Sequence, residues 1–110
     1  MVEGFWIVQT EGVQGNGGGV VVLLKGRIFG GDTGFLYTGT YKTDEKTVSA
    51  QVSVRNFLPG VPNILGVQGD FEMVLRGTVT GGVIKATASV ANQEAAGLVV
   101  KLTRVSDLPG

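Results

Sequence analysis

The stretch from Gly26 to Tyr41, Gly-Arg-Ile-Phe-Gly-Gly-Asp-Thr-Gly-Phe-Leu-Tyr-Thr-Gly-Thr-Tyr, constrains the fold more than any other part of this chain. A short strand, a glycine-rich turn and an aromatic strand follow one another, and no helical spacing interrupts them. Gly30, Gly31 and Gly34 are expected to supply the positive-φ conformations of a tight hairpin. Phe35, Tyr37, Gly39 and Tyr41 then fall on one face of the following strand, because side chains alternate with period two. An antiparallel β protein is the consequence.

The rest of the chain repeats that grammar. Nineteen glycines and three prolines punctuate 110 residues rich in valine and threonine, a mixture that suits short strands joined by tight turns. Glu3 to Thr10 reads as a strand with Trp6 and Val8 on one face, and Glu11 to Gly19 as a glycine-rich loop. Val20 to Leu24 is apolar on both faces, so this strand is expected to be covered on both sides. Lys25-Gly26 is a candidate turn into a strand at Arg27 to Phe29, and Thr43 to Lys46 a polar turn after the strand from Phe35 to Lys42. Thr47 to Arg55 alternates most clearly. Its Val48, Ala50, Val52 and Val54 face the core. Asn56 to Gly69 forms the longest connection, with one short helical turn expected at Asn63–Leu65. Phe71, Met73, Leu75 and Gly77 share a face; after a Gly81-Gly82 turn, so do Ile84, Ala86, Ala88 and Val90, and finally Leu98, Val100 and Leu102.

About eight short strands with hairpin-length links predict an all-β fold, a single domain over residues 1–110. An antiparallel up-and-down barrel is favoured because closure removes the sheet edges. A two-sheet sandwich is the competing architecture. A barrel of this size has an interior filled by side chains or just able to hold one small ligand. Trp6, Val8, Tyr37, Tyr41, Phe71 and Met73 would line such a cavity.

Composition narrows the chemistry. The chain has no cysteine and no histidine, which removes thiol catalysis, the commonest general base and the usual metal ligands. No nucleophile–base spacing stands out among the remaining residues, so no enzyme, metal or cofactor is expected. Nine basic residues balance nine acidic ones, and the basic ones are scattered singly, so no footprint for nucleic acid is expected. The opening Met1-Val2-Glu3 carries an acid where a secretory leader carries positive charge, and the longest apolar run, Val20 to Leu24, is too short to span a bilayer. A cytoplasmic protein with no membrane association is expected.

Five short motifs carry weight. Gly15-Asn16-Gly17-Gly18-Gly19 lacks the Gly-Lys-Ser/Thr continuation of a phosphate cradle. Gly30-Gly31-Asp32 shares three residues with the signature of nucleotide cyclases that make cyclic dinucleotides, but Thr33-Gly34 stands where that signature needs Glu-Phe. Asp32 is expected to cap its own turn. Asp44-Glu45, at a predicted hairpin tip, is either a solvated turn or an acidic contact for a basic partner. In Gly4-Phe5-Trp6 the indole would plug one barrel end with its N–H bonded to nearby backbone. Phe57, Leu58, Val61, Ile64 and Leu65 load one connection with large apolar side chains, which either cap the barrel or meet a second copy.

Taken together, the Gly17–Leu23 run, the Gly26–Tyr41 block, Ile64-Leu65-Gly66 and the Gly4-x-Trp6-x-Val8 opening resemble the GrlR family, β-barrel proteins named for a negative regulator of bacterial type III secretion. Gly30-Gly31-Asp32 followed by Tyr37 and Tyr41 carries the strongest part of the likeness, which runs over nearly the whole chain. The resemblance implies a lipocalin-like barrel, a homodimer, and action by binding a transcriptional activator rather than DNA. In the family's namesake an acidic run of four residues marks the partner surface; here the matching turn is Thr43-Asp44-Glu45-Lys46, so Asp44 and Glu45 keep the acid. The expected function is regulation by capture of a protein partner. The alternative is a barrel that binds a small apolar ligand.

Overall fold

The computed structural model describes residues 2–12, 15–58, 70–90 and 93–109. They form eight strands: β1 (Gly4–Gly12), β2 (Gly15–Leu24), β3 (Arg27–Gly31), β4 (Phe35–Asp44), β5 (Thr47–Asn56), β6 (Phe71–Thr80), β7 (Val83–Val90) and β8 (Gln93–Ser106). Each strand pairs antiparallel with the next, and β8 returns to β1, so the sheet closes into an up-and-down barrel. The expected fold class is what the chain adopts, and the sandwich is excluded. No helix occurs among the described residues, and the helical turn expected at 63–65 lies outside them.

Period-two alternation puts one side of every strand into a continuous apolar core. Trp6, Val21, Leu23, Val52, Val54, Ile84, Ala88 and Val100 are all nearly inaccessible, and Tyr37, Phe71, Met73 and Leu75 pack against them. Exposed Lys42, Arg55, Glu72, Arg76, Lys85 and Lys101 occupy outward positions. The interior is apolar, and these outward positions carry charge.

Tight closure rests on inward-facing glycines. A Cβ at Gly30 would overlap the Val20 carbonyl, one at Gly39 the Gln51 carbonyl and one at Gly77 the Lys85 carbonyl. Neighbouring strands therefore approach each other where a side chain is missing, which is how a small barrel turns its corners. This corrects the expected role of the Gly30-Gly31-x-x-Gly34 cluster. None of the three has positive φ; among the described residues that conformation belongs to Gly4, Gly26, Gly81 and Gly82, with Lys25 and Glu45. Gly30 is needed for space.

Two further boundaries differ from the expectation. The stretch read as a loop from Glu11 to Gly19 is mostly paired strand, in register from Glu11–Asn16 to Val8–Gly19. Cross-strand hydrogen bonding outweighs the low strand propensity of glycine there. The last strand likewise begins at Gln93 rather than Leu98, with a register shift against β7 between Thr87 and Ser89.

Candidate functional site

The hairpins divide the barrel into two ends. The turns at 25–26, 45–46 and 81–82 and the start of β1 share one end; the β3–β4 turn, the end of β5 and the start of β6 share the other.

At the first end Trp6 is 1 % exposed, and its Nε1–H donates to the Val2 carbonyl at 2.8 Å. The indole plugs the barrel with its polar atom satisfied. Trp6 pairs with Arg104 on β8 at a register shift between Phe5 and Trp6. The Arg104 guanidinium donates from Nε and Nη2 to the Glu3 carbonyl, at 3.0 and 2.7 Å. Gly4 fits beneath because its φ is +145° and a Cβ would meet the Ser106 carbonyl and the Arg104 guanidinium. Gly4, Trp6 and Arg104 together lock the seam where the barrel closes.

At the opposite end Asp32 caps its turn as expected. Its Oδ1 accepts from the backbone N–H groups of Gly34 and Phe35, both at 3.0 Å, and its Oδ2 accepts from the Tyr37 hydroxyl. Burial, then that hydrogen bond and the charge of Asp32, pushes the Tyr37 hydroxyl well above the ordinary tyrosine pKa. The six residues expected to line a cavity separate along the barrel. Trp6, Val8 and Tyr41 are buried in the core, whereas Tyr37, Phe71 and Met73 are half-buried at or near the Asp32 end.

Asp44 closes β4, and Glu45-Lys46 forms the two-residue tip between Asp44 and its partner Thr47. Glu45 sits at φ 53°, a conformation that glycine or asparagine adopts more readily. Both acidic side chains are exposed, and among the described residues neither carboxylate has a hydrogen-bond or ion-pair partner. The Thr47 hydroxyl braces the tip from below by donating to the Asp44 main-chain carbonyl at 2.9 Å. Beside it opens a groove of about 470 Å³ whose lining includes Lys42, Asp44, Thr47, Ser49, Arg76 and Gly77.

Register gathers charges that the sequence scatters. Lys42, Ser49 and Arg76 stand on one outward rung across β4, β5 and β6, and Lys85 opposes Lys101 on an adjacent rung of β7 and β8. Four exposed cations thus lie on two neighbouring outward rungs that run from β4 to β8.

Another part of the outer surface is apolar. Ile7 pairs with Val20, and Phe5 with Val22 and then Phe29, and the exposed Ile7, Val20, Phe29 and Leu36 retain 41, 49, 42 and 43 % of their surface. No element of the described chain covers the outer side of β2, contrary to the cover expected on both sides. Phe57 and Leu58 are exposed, and the Phe57 N–H donates to the Gly34 carbonyl at 3.0 Å, which holds Phe57 beside the β3–β4 turn. Val61, Ile64 and Leu65, the other expected dimer residues, lie outside the described residues. Alternating aromatic and aliphatic residues at Phe5, Ile7, Val20 and Val22 were the sequence signal for this band.

Among the described residues no cluster of three acidic side chains is placed to hold a metal ion, and no helix is long and apolar enough to cross a membrane. No protein-family model and no curated protein matches this chain.

Proposed function

We propose that this protein is a non-enzymatic regulator that captures a protein partner, a DNA-binding transcriptional activator, through the Asp44–Glu45 tip. The observation that carries the reading is the tip itself: two adjacent, exposed and unpaired carboxylates held on a braced hairpin at a barrel rim. A rigid charged projection steers a basic partner and contributes more to the rate of encounter than to final affinity. The resemblance to the GrlR family, with its acid-marked partner surface, supports the same reading and extends it to negative regulation of type III secretion in a bacterial cytoplasm. Homodimerisation belongs to this reading too. The uncovered apolar band of Ile7, Val20, Phe29 and Leu36, flanked by Phe57, is the kind of surface that meets a second copy. Partner capture by wild-type protein, and its loss with Asp44→Lys/Glu45→Lys, is the test.

A second reading has its own observation. Tyr37, Phe71 and Met73 remain half-buried at the end opposite the Trp6 plug, and an apolar ligand entering there would lie against them. Quenching of the emission of the single tryptophan, Trp6, by a fatty acid tests it.

A further inference from the structure

We propose that the groove beside the β4–β5 tip binds a small oxyanion, a phosphoryl or carboxylate group, gripped between Lys42 and Arg76 over Ser49. The groove adjoins the Asp44–Glu45 tip and shares Asp44 with it.

Three observations converge on this groove. It is an open concavity of about 470 Å³ whose lining brings Lys42, Ser49 and Arg76 together. Its rim carries two cations on one rung of the sheet, Lys42 and Arg76, with Ser49 directly between them. Two strand spacings separate their Cα atoms by about 10 Å, so both long side chains can lean inward onto one group above Ser49. Neither cation makes an ion pair or hydrogen bond among the described residues. Glu72, the acidic residue on the same face of β6, is engaged elsewhere: both its carboxylate oxygens accept from the Ser53 hydroxyl at 2.8 Å.

The donors match the ligand class. A guanidinium presents a planar fork suited to two oxygens of a phosphate or carboxylate, an ammonium adds a point charge, and Ser49 brings a hydroxyl donor between them. Asp44 also lines the groove and opposes an anion. Two cations against one carboxylate leave the lining with net positive charge, which favours a single oxyanion over a polyanion. Outward positions on this face hold no aromatic side chain on which a nucleic-acid base could stack.

Titration of the ¹⁵N-labelled protein with inorganic phosphate, and separately with acetate, against sodium chloride at matched ionic strength tests the site. Saturable amide shifts at Thr47, Ser49 and Gly77 are expected, with the affinity falling at least tenfold in Lys42→Gln/Arg76→Gln. The Lys85→Gln/Lys101→Gln variant, which removes equal charge outside the groove, is expected to bind as wild type. Saturation by phosphate alone assigns a phosphoryl ligand, and saturation by acetate alone a carboxylate. Shifts that never saturate with either anion overturn the proposal. So does equal weakening by the two double variants, which would mean attraction to the basic face as a whole.

Discussion

The Tyr37 hydroxyl donates to the carboxylate of Asp32, the same group that receives two backbone N–H bonds in the β3–β4 turn. One acidic side chain thereby ties a turn to the first inward-facing residues of the strand that follows. The pairing also fixes how the barrel responds to alkali.

Protonated Tyr37 is the form the folded barrel favours, since its pKa is raised by burial, by the hydrogen bond to Asp32 and by that residue's charge. An unfolded tyrosine ionises near pH 10, roughly its unperturbed value. The stability that Tyr37 contributes is therefore complete below about pH 10 and is lost as pH rises towards the folded pKa. Urea unfolding at pH 8 and pH 11 is expected to show a drop in stability for wild type. In Tyr37→Phe that drop shrinks, at a cost of about 1 kcal/mol at pH 8 for the lost hydrogen bond.

Gly39 and Gly81 separate two uses of glycine. A Cβ at Gly39 collides with the Gln51 backbone, whereas one at Gly81 meets nothing within 4 Å although φ there is +55°. Gly39→Ala is expected to cost about 3 kcal/mol, near the top of the range for overpacking. Gly81→Ala is expected to cost only about 1 kcal/mol, the strain of the left-handed conformation. Thermal denaturation of the two variants side by side measures the difference.

Arg104 joins the last strand to the residue before the first. Arg104→Ala leaves the Glu3 carbonyl without its guanidinium donor and uncovers the Trp6 end, so a loss of about 2 kcal/mol is expected in chemical denaturation. Asp107→Ala is the control. It breaks an ion pair, 2.5 Å long, whose acidic partner is largely exposed. That change is expected to move stability by less than about 1 kcal/mol.

Much of this was legible in the residues. The indole plug could be read from the Gly4-x-Trp6 opening itself; the structure adds that Gly4 sits beneath it at φ +145°. The Asp32 cap followed from side-chain reach alone. The glycines were harder, since the same residue serves a turn, a paired strand or a close approach, and only the neighbouring strand decides. Hence Gly30 was expected in a turn, yet it makes room for Val20. The cations were harder still. Alternation places Lys42, Arg76, Lys85 and Lys101 outward, but sharing a rung is a property of register across β4 to β8.

Glu45 allows charge and stability to be separated. Glu45→Asn relieves the left-handed strain at φ 53°, since asparagine tolerates that conformation better than glutamate. A gain of about 0.5 kcal/mol in unfolding free energy is expected, together with weaker partner capture. Raised stability with undiminished capture would remove Glu45 from the partner surface.

The most direct test is an affinity pull-down from lysate of the source organism, comparing tagged wild type with Asp44→Lys/Glu45→Lys and identifying retained proteins by mass spectrometry. The account predicts that a DNA-binding activator is retained by wild type, is released by added salt, and is absent from the double variant. Retention of the same proteins by both forms, or of nothing but the protein itself, would contradict it.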